Sequence, residues 1–229
     1  MYNDNETLME VIDVINRLNL QNTLVLIGSW AEYFYQDLFD RYYSSFRTLD
    51  TDFLVKRPVH SGKGFVKEMK EIGFTYEEDP MTGKSKFFKN DIEVEFLTTL
   101  TRDYSAVYNV PEMGIHAECL KYMDISAANT IPIILANGNT ILIPNPAAYV
   151  IQKAMINTER SEVKAQKDIV AVRGIVLSML EENKFKKDFV RIYTQLGKKQ
   201  KRRVDCFAED NNIIELRKLI EFATAESSE

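Results

Sequence analysis

Apolar residues recur every three to four positions through Leu8, Val11, Ile12, Val14, Ile15 and Leu18, so the chain opens with an amphipathic helix. "TLVLI", residues 23–27, is a short apolar run rich in β-formers, and the period changes at Gly28 and Ser29. Ser29-Trp30-Ala31-Glu32 has the S-x-x-E form of a capping box, and Trp30, Tyr33 and Phe34 follow at helical contact spacing. The pattern predicts strand, Gly-Ser turn, helix. "TLDTDFLV", residues 48–55, reads as a second buried strand, and "GKGFVKEMKEIGF" as a helix ending near Gly73. Residues 74–97 read as strands joined at "DPMTGK" and "KND", the last strand being "DIEVEFL". Residues 115–128 suit either helix or strand, and "IPIILANGNTILIP" reads as a hairpin with an Asn-Gly-Asn turn.

From Pro146, a good first-turn residue, the pattern turns helical throughout and predicts helices near 146–157, 162–181, 184–196 and 211–224. The expected fold is therefore α/β, of the α+β kind, over residues 1–145, followed by a C-terminal helical domain over 146–229.

Composition narrows this picture. A chain of 229 residues with 45% hydrophobic content can bury a real core in one enlarged domain or two small ones. A net charge of -5 argues against wholesale attraction to nucleic acid or anionic membranes, leaving only local basic patches to act. Cys119 and Cys206 lack metal-ligand spacing and fit reduced thiols, hence a cytoplasmic protein. The acidic start "MYNDNETLME" is unlike a signal peptide, and "IVAVRGIVLSML" is interrupted by Arg173 and too short to span a bilayer, so no membrane role is expected.

The candidate chemistry lies in two strands. Alternation puts Asp50, Asp52 and Leu54 on one face of the first, and Glu93, Glu95 and Leu97 on one face of the second. Carboxylates clustered on a sheet repel one another unless something positive sits among them, and a hard divalent cation is the simplest remedy. Two such ions can serve an in-line phosphoryl displacement. The Gly28-Ser29 turn would lift a helix N-terminus beside them, where backbone N–H groups can receive a phosphate.

"LIGSW", "RTLDTDFLV" and "IEVEFL" together resemble the DNA polymerase beta-like nucleotidyltransferase superfamily, with its apolar strand, Gly-Ser, Asp-x-Asp strand and third carboxylate strand. The closest resemblance is to a prokaryotic nucleotidyltransferase group, continuing through "MGIHAECLKYMDI" and "IPNPAAYVIQKAMINTERSEVKAQKDIV" over roughly residues 22–178. It implies a mixed sheet flanked by helices and metal-dependent transfer of a nucleotidyl group from an NTP to an acceptor hydroxyl, with pyrophosphate leaving. Asp50, Asp52 and Glu95 become the Mg²⁺ or Mn²⁺ carboxylates, and Gly28 and Ser29 lie at the triphosphate. The resemblance also implies a helical C-terminal part whose Lys153, Lys164, Lys167 and Asp168 face the cleft as nucleotide-binding residues. The family register "VEFL" favours Glu95 over Glu93. Thr51, where the family has an aliphatic residue, is harmless if it faces the core, and "DLFDRYYSSFR" reads as an insertion.

Blander readings stand beside these. Lys153 can be an exposed helix lysine, and Lys164 with Asp168 an ordinary i,i+4 surface pair. "GKKQKRR" carries five basic residues, Lys198, Lys199, Lys201, Arg202 and Arg203: a solvated face, or a contact for a nucleic-acid acceptor. His60 and His116 are isolated. The rivals to transfer are a catalytically silent domain of the same fold and a glycosyltransferase using the Asp-x-Asp pair.

Overall fold

The computed structural model of the chain describes residues 3–39, 50–101 and 106–226, with the side chains of 3–5 left aside. Its chain divides into two compact units. Among the described residues, 3–31 and 50–144 form the first, and 32–39 with 145–226 the second. The expected single cut near 145 thus also has to hand residues 32–39 to the helical unit. Side-chain contacts explain why: Tyr35 packs edge-on to Tyr149 at 5.7 Å, and Phe39 against Phe185 at 4.9 Å.

The first unit contains α1 (Asn3–Arg17), β1 (Leu24–Leu26), the start of α2 (Ser29–Tyr35), β2 (Asp50–Val55), α3 (Phe65–Glu71), β3 (Thr75–Glu78), β4 (Ser85–Lys89) and β5 (Ile92–Thr99). It continues with β6 (Val107–Val110), β7 (Ile115–Leu120), α4 (Met123–Ala128), β8 (Thr130–Ile134) and β9 (Thr140–Pro144). The ambiguous stretch 115–128 is therefore a strand followed by a helix. Among the described residues nine strands form one mixed sheet: seven follow the order β3, β4, β5, β2, β1, β9, β8, while β7 pairs β5 off this path and carries β6 on its other side. β5 is long enough to pair β4 through Ile92–Glu95 and β7 through Leu97–Thr99 along the same edge.

Alternation sorts the two faces. One carries Phe53, Phe87 and Phe96, packed under Phe65 of α3, whose ring lies edge-on to Phe87 and Phe96 at 5.8 and 5.6 Å. Thr51 is buried on this side, as its harmless reading requires. The other face gathers Val25, Ile27, Leu54, Leu97 and Leu142 around Met123 of α4. Each strand pair thus has a dry leucine end under α4 and an acidic end beyond it.

β8 ends the strand order, joined to β9 by the expected turn with Gly138 at φ +85°. Pro132 stands opposite Leu142 at the middle of β8. Having no N–H, proline fits within a strand only where that group would point away from the neighbouring strand.

The helical unit holds the rest of α2, then α5 (Pro146–Ile156), α6 (Glu162–Glu181), α7 (Asn183–Thr194), α8 (Lys198–Asp210) and α9 (Ile214–Glu226). Asn145 caps α5 by accepting from the Ala147 N–H at 3.0 Å, with Pro146 in the first turn. α5 is buried on all sides from Pro146 to Met155, as befits the central helix of a bundle, and packs on α6, α7 and α8. α8 is the helix the apolar pattern did not predict. Among the described residues, no helix is long and apolar enough to cross a membrane.

Candidate functional site

β2 and β5 run parallel, and their register sets Asp50 beside Glu93 and Asp52 beside Glu95. Four carboxylates consequently occupy one face of two adjacent strands, at the end away from α4. The turn after β1 stands over this group. The Ile27 N–H donates to the Asp52 carbonyl at 3.0 Å, and Gly28 then adopts φ +69°. A Cβ built on Gly28 would lie 3.2 Å from Asp52 Oδ2, so both the backbone twist and the close approach suit glycine. Ser29 begins α2 directly after it. Gly28, Ser29, Asp50, Asp52 and Glu95 are thus drawn from three neighbouring segments of one sheet.

The sequence reading missed a basic partner. Lys86 of β4 lies opposite Glu95, donates to Glu95 Oε1 at 2.7 Å and also hydrogen-bonds Glu93. The bonds to Glu93 and Glu95 hold its ammonium well above the ordinary lysine range. Its stabilisation is complete below the free-lysine value of ~10.4 and fades only as pH rises past the raised one, so Lys86 is a fixed charge at neutral pH. Among the described residues, no three His, Cys, Asp or Glu side chains gather closely enough to hold a metal ion. Glu93 and Glu95 are instead drawn toward the lysine. The donor chemistry still suits a hard cation: carboxylate oxygens in register, with a side-chain-free position against one of them.

A family model described as nucleotidyltransferase matches residues 6–196. The chain belongs to the nucleotidyltransferase family. A search of curated proteins found no match to the chain. The matched span takes in the strands, the Gly28 turn and the helices through α7, and membership makes the protein a transferase of nucleotidyl groups.

The remaining site candidates of this nucleotidyltransferase lie in its helical unit. Lys153 is buried on α5 and donates to Asp168 Oδ1 at 2.7 Å, with its ammonium 5.2 Å from the Tyr149 ring centre. Neither the exposed lysine nor the surface pair is what the helices form. Asp168 is 4% exposed and turns inward from α6, away from the surface partnership with Lys164. Arg160 Nε approaches its other oxygen at 3.1 Å, outside hydrogen-bond angle, so that contact is electrostatic. Tyr149 donates to the buried Glu32, and burial together with that carboxylate raises the phenol's pKa well above its usual value. Lys164 and Lys167 are exposed on the first turns of α6.

The segment "DLFDRYYSSFR" falls mostly outside the described residues. His60 is exposed, and His116 Nδ1 lies 3.5 Å from Glu78 Oε1 on the β7 side of the sheet. Cys119 and Cys206 are free thiols.

Proposed function

We propose that this protein transfers a nucleoside monophosphate from an NTP to an acceptor hydroxyl, with Asp50, Asp52 and Glu95 at the centre of the reaction. The observation that supports this reading is the β2–β5 register beside the Gly28 turn, which sets a carboxylate cluster against a position with no side chain. Asp50, Asp52 and Glu95 would hold one or two divalent cations, Mg²⁺ or Mn²⁺, supplying positive charge to the triphosphate and to the departing pyrophosphate. Gly28 lets the backbone come close beside the Asp52 carboxylate, and the helix start at Ser29 would face the triphosphate. The acceptor oxygen bonds to the α-phosphorus, the bond to the β-bridging oxygen breaks, and Glu95 receives the hydroxyl proton. Lys86 has two carboxylate partners, so Glu95 can be released for this work while the ammonium stays paired with Glu93.

Incubation with Mg²⁺, each α-labelled NTP, total cellular RNA and lysate should leave one species labelled and release pyrophosphate. Absence of both with every nucleotide, together with no phenotype of Asp52→Asn in cells, would overturn the reading.

One observation favours a second reading, a catalytically silent binding domain: Lys86 already neutralises part of the cluster as a cation would. The two separate on stability. In chelator, Lys86→Met should lower the melting temperature by about 2–8 °C, since a partly buried charge network loses its counterion at ~1–2 kcal/mol. If the cluster is a cation site, millimolar Mg²⁺ restores most of that loss in a thermal-shift assay. A silent domain would leave the variant unstable at every Mg²⁺ concentration.

A further inference from the structure

The basic run of the helical unit borders a groove. Within the helical unit, a groove of about 490 Å³ is lined by the C-terminal end of α5, the turn after it, and α8. Met155 and Phe207 lie buried at its floor, Lys199, Arg202 and Arg203 line it with positive charge and Asp210 with one negative charge, and Cys206 stands beside them.

α8 pays no regard to its own electrostatics here. Lys198 with Arg202, and Lys199 with Arg203, are like-charged i,i+4 pairs, each unfavourable in a helix. They also crowd the positive end of the helix dipole, and the first turn carries no acidic residue to offset them. The five cations are not equivalent. Lys201 lies over the Tyr193 ring at 5.4 Å, and Arg203 donates to the Met155 carbonyl at 2.8 Å and to Glu159 at 2.9 Å. Lys198, Lys199 and Arg202 make no ion pair among the described residues. Local rules broken at the lip of a groove point to a ligand that repairs them, and this one must be anionic. The cationic stretch from 198 to 203 runs about 7.5 Å along the helix, at 1.5 Å per residue, which suits a chain of phosphates better than a single one.

We propose that this groove binds single-stranded nucleic acid, with the exposed Lys199 and Arg202 on backbone phosphates and the strand running past Asn157 and Thr158. Under the transfer reading the strand is the acceptor, but the binding itself does not depend on that reading.

The test is fluorescence anisotropy of the full-length chain with labelled RNA and DNA strands of about twelve nucleotides, within the usual span of single-strand sites. Binding of either strand is expected, weakening with salt. The double variant Lys199→Glu/Arg202→Glu should bind at least about tenfold more weakly, with the slope of log affinity against log salt reduced in size by about 1.4 for two lost phosphate contacts. Lys187→Glu/Lys218→Glu makes the same charge change outside the groove and should stay within about twofold of wild type. Circular dichroism checks that each variant is folded. In a Cys119→Ser background, bound strand should slow maleimide labelling of Cys206. Asp52→Asn should bind like wild type, so a failed transfer reaction and a failed groove are read separately. No binding at ~50 mM salt, equal loss in the two double variants, or equal competition by a duplex or a glutamate peptide of matched charge would overturn the proposal.

Discussion

Alanine at position 168 destabilises the helical unit by about 3–5 kcal/mol, the cost of stranding a buried cation. Asp168 is the carboxylate partner of Lys153, whose side chain is 11% exposed, and it also faces Arg160. Without it, among the described residues, the lysine keeps only the face of Tyr149, whose hydroxyl is committed to Glu32. Arg160 is 30% exposed and can turn to water, so most of the loss belongs to Lys153. Urea titration followed by far-UV circular dichroism measures it. The double variant Lys153→Met/Asp168→Leu removes both charges and should recover most of the stability, because an apolar pair of similar volume is often no worse than a buried ion pair. If the single variant costs under ~1 kcal/mol, or the double variant is no better than the single, the pair is not what holds α5 to α6.

Asp52→Asn should lower nucleotidyl transfer by roughly 10²- to 10³-fold or more, the usual scale for losing one charge-stabilising group. Stability should stay within ~1 kcal/mol, since the amide keeps the carboxylate's shape at a half-buried position and Gly28 still fits against it. Loss of activity with the melting curve unchanged assigns the residue to the chemistry. Activity within about threefold of wild type would remove Asp52 from the centre of the proposed reaction.

The acidic face was legible because strand alternation is a local property. "DTDFLV" and "IEVEFL" each show which side chains share a face, and their parallel pairing places the acidic ends together. Lys86 was legible too, by a different route. A turn at Asn90 and Asp91 fixes Lys89 opposite Ile92, and counting three residues away from the turn on each strand brings Lys86 opposite Glu95. Reading each strand alone hides a partner that only hairpin register reveals. The surface-pair reading of Asp168 failed for a related reason. Its i,i+4 neighbour Lys164 is visible in sequence, whereas Lys153 reaches it from another helix. α8 went unseen because Lys and Arg dominate its first half, although Val204, Phe207 and Ala208 keep the spacing of a buried helical face. The change of unit at residue 32 rests on Tyr35 and Phe39, aromatic residues whose partners are more than a hundred positions away.

A missing hydrogen at the sheet's rim has a bearing on how the protein behaves at high concentration. Among the described residues β8 ends the sheet and carries an exposed Ile134, and an end strand of this kind can pair with a further strand. Pro132 leaves a gap in its backbone donors, so an incoming strand finds no donor at the centre of the edge and gains little by docking there. One imino acid thus weakens any pairing of a further strand at this end of the sheet.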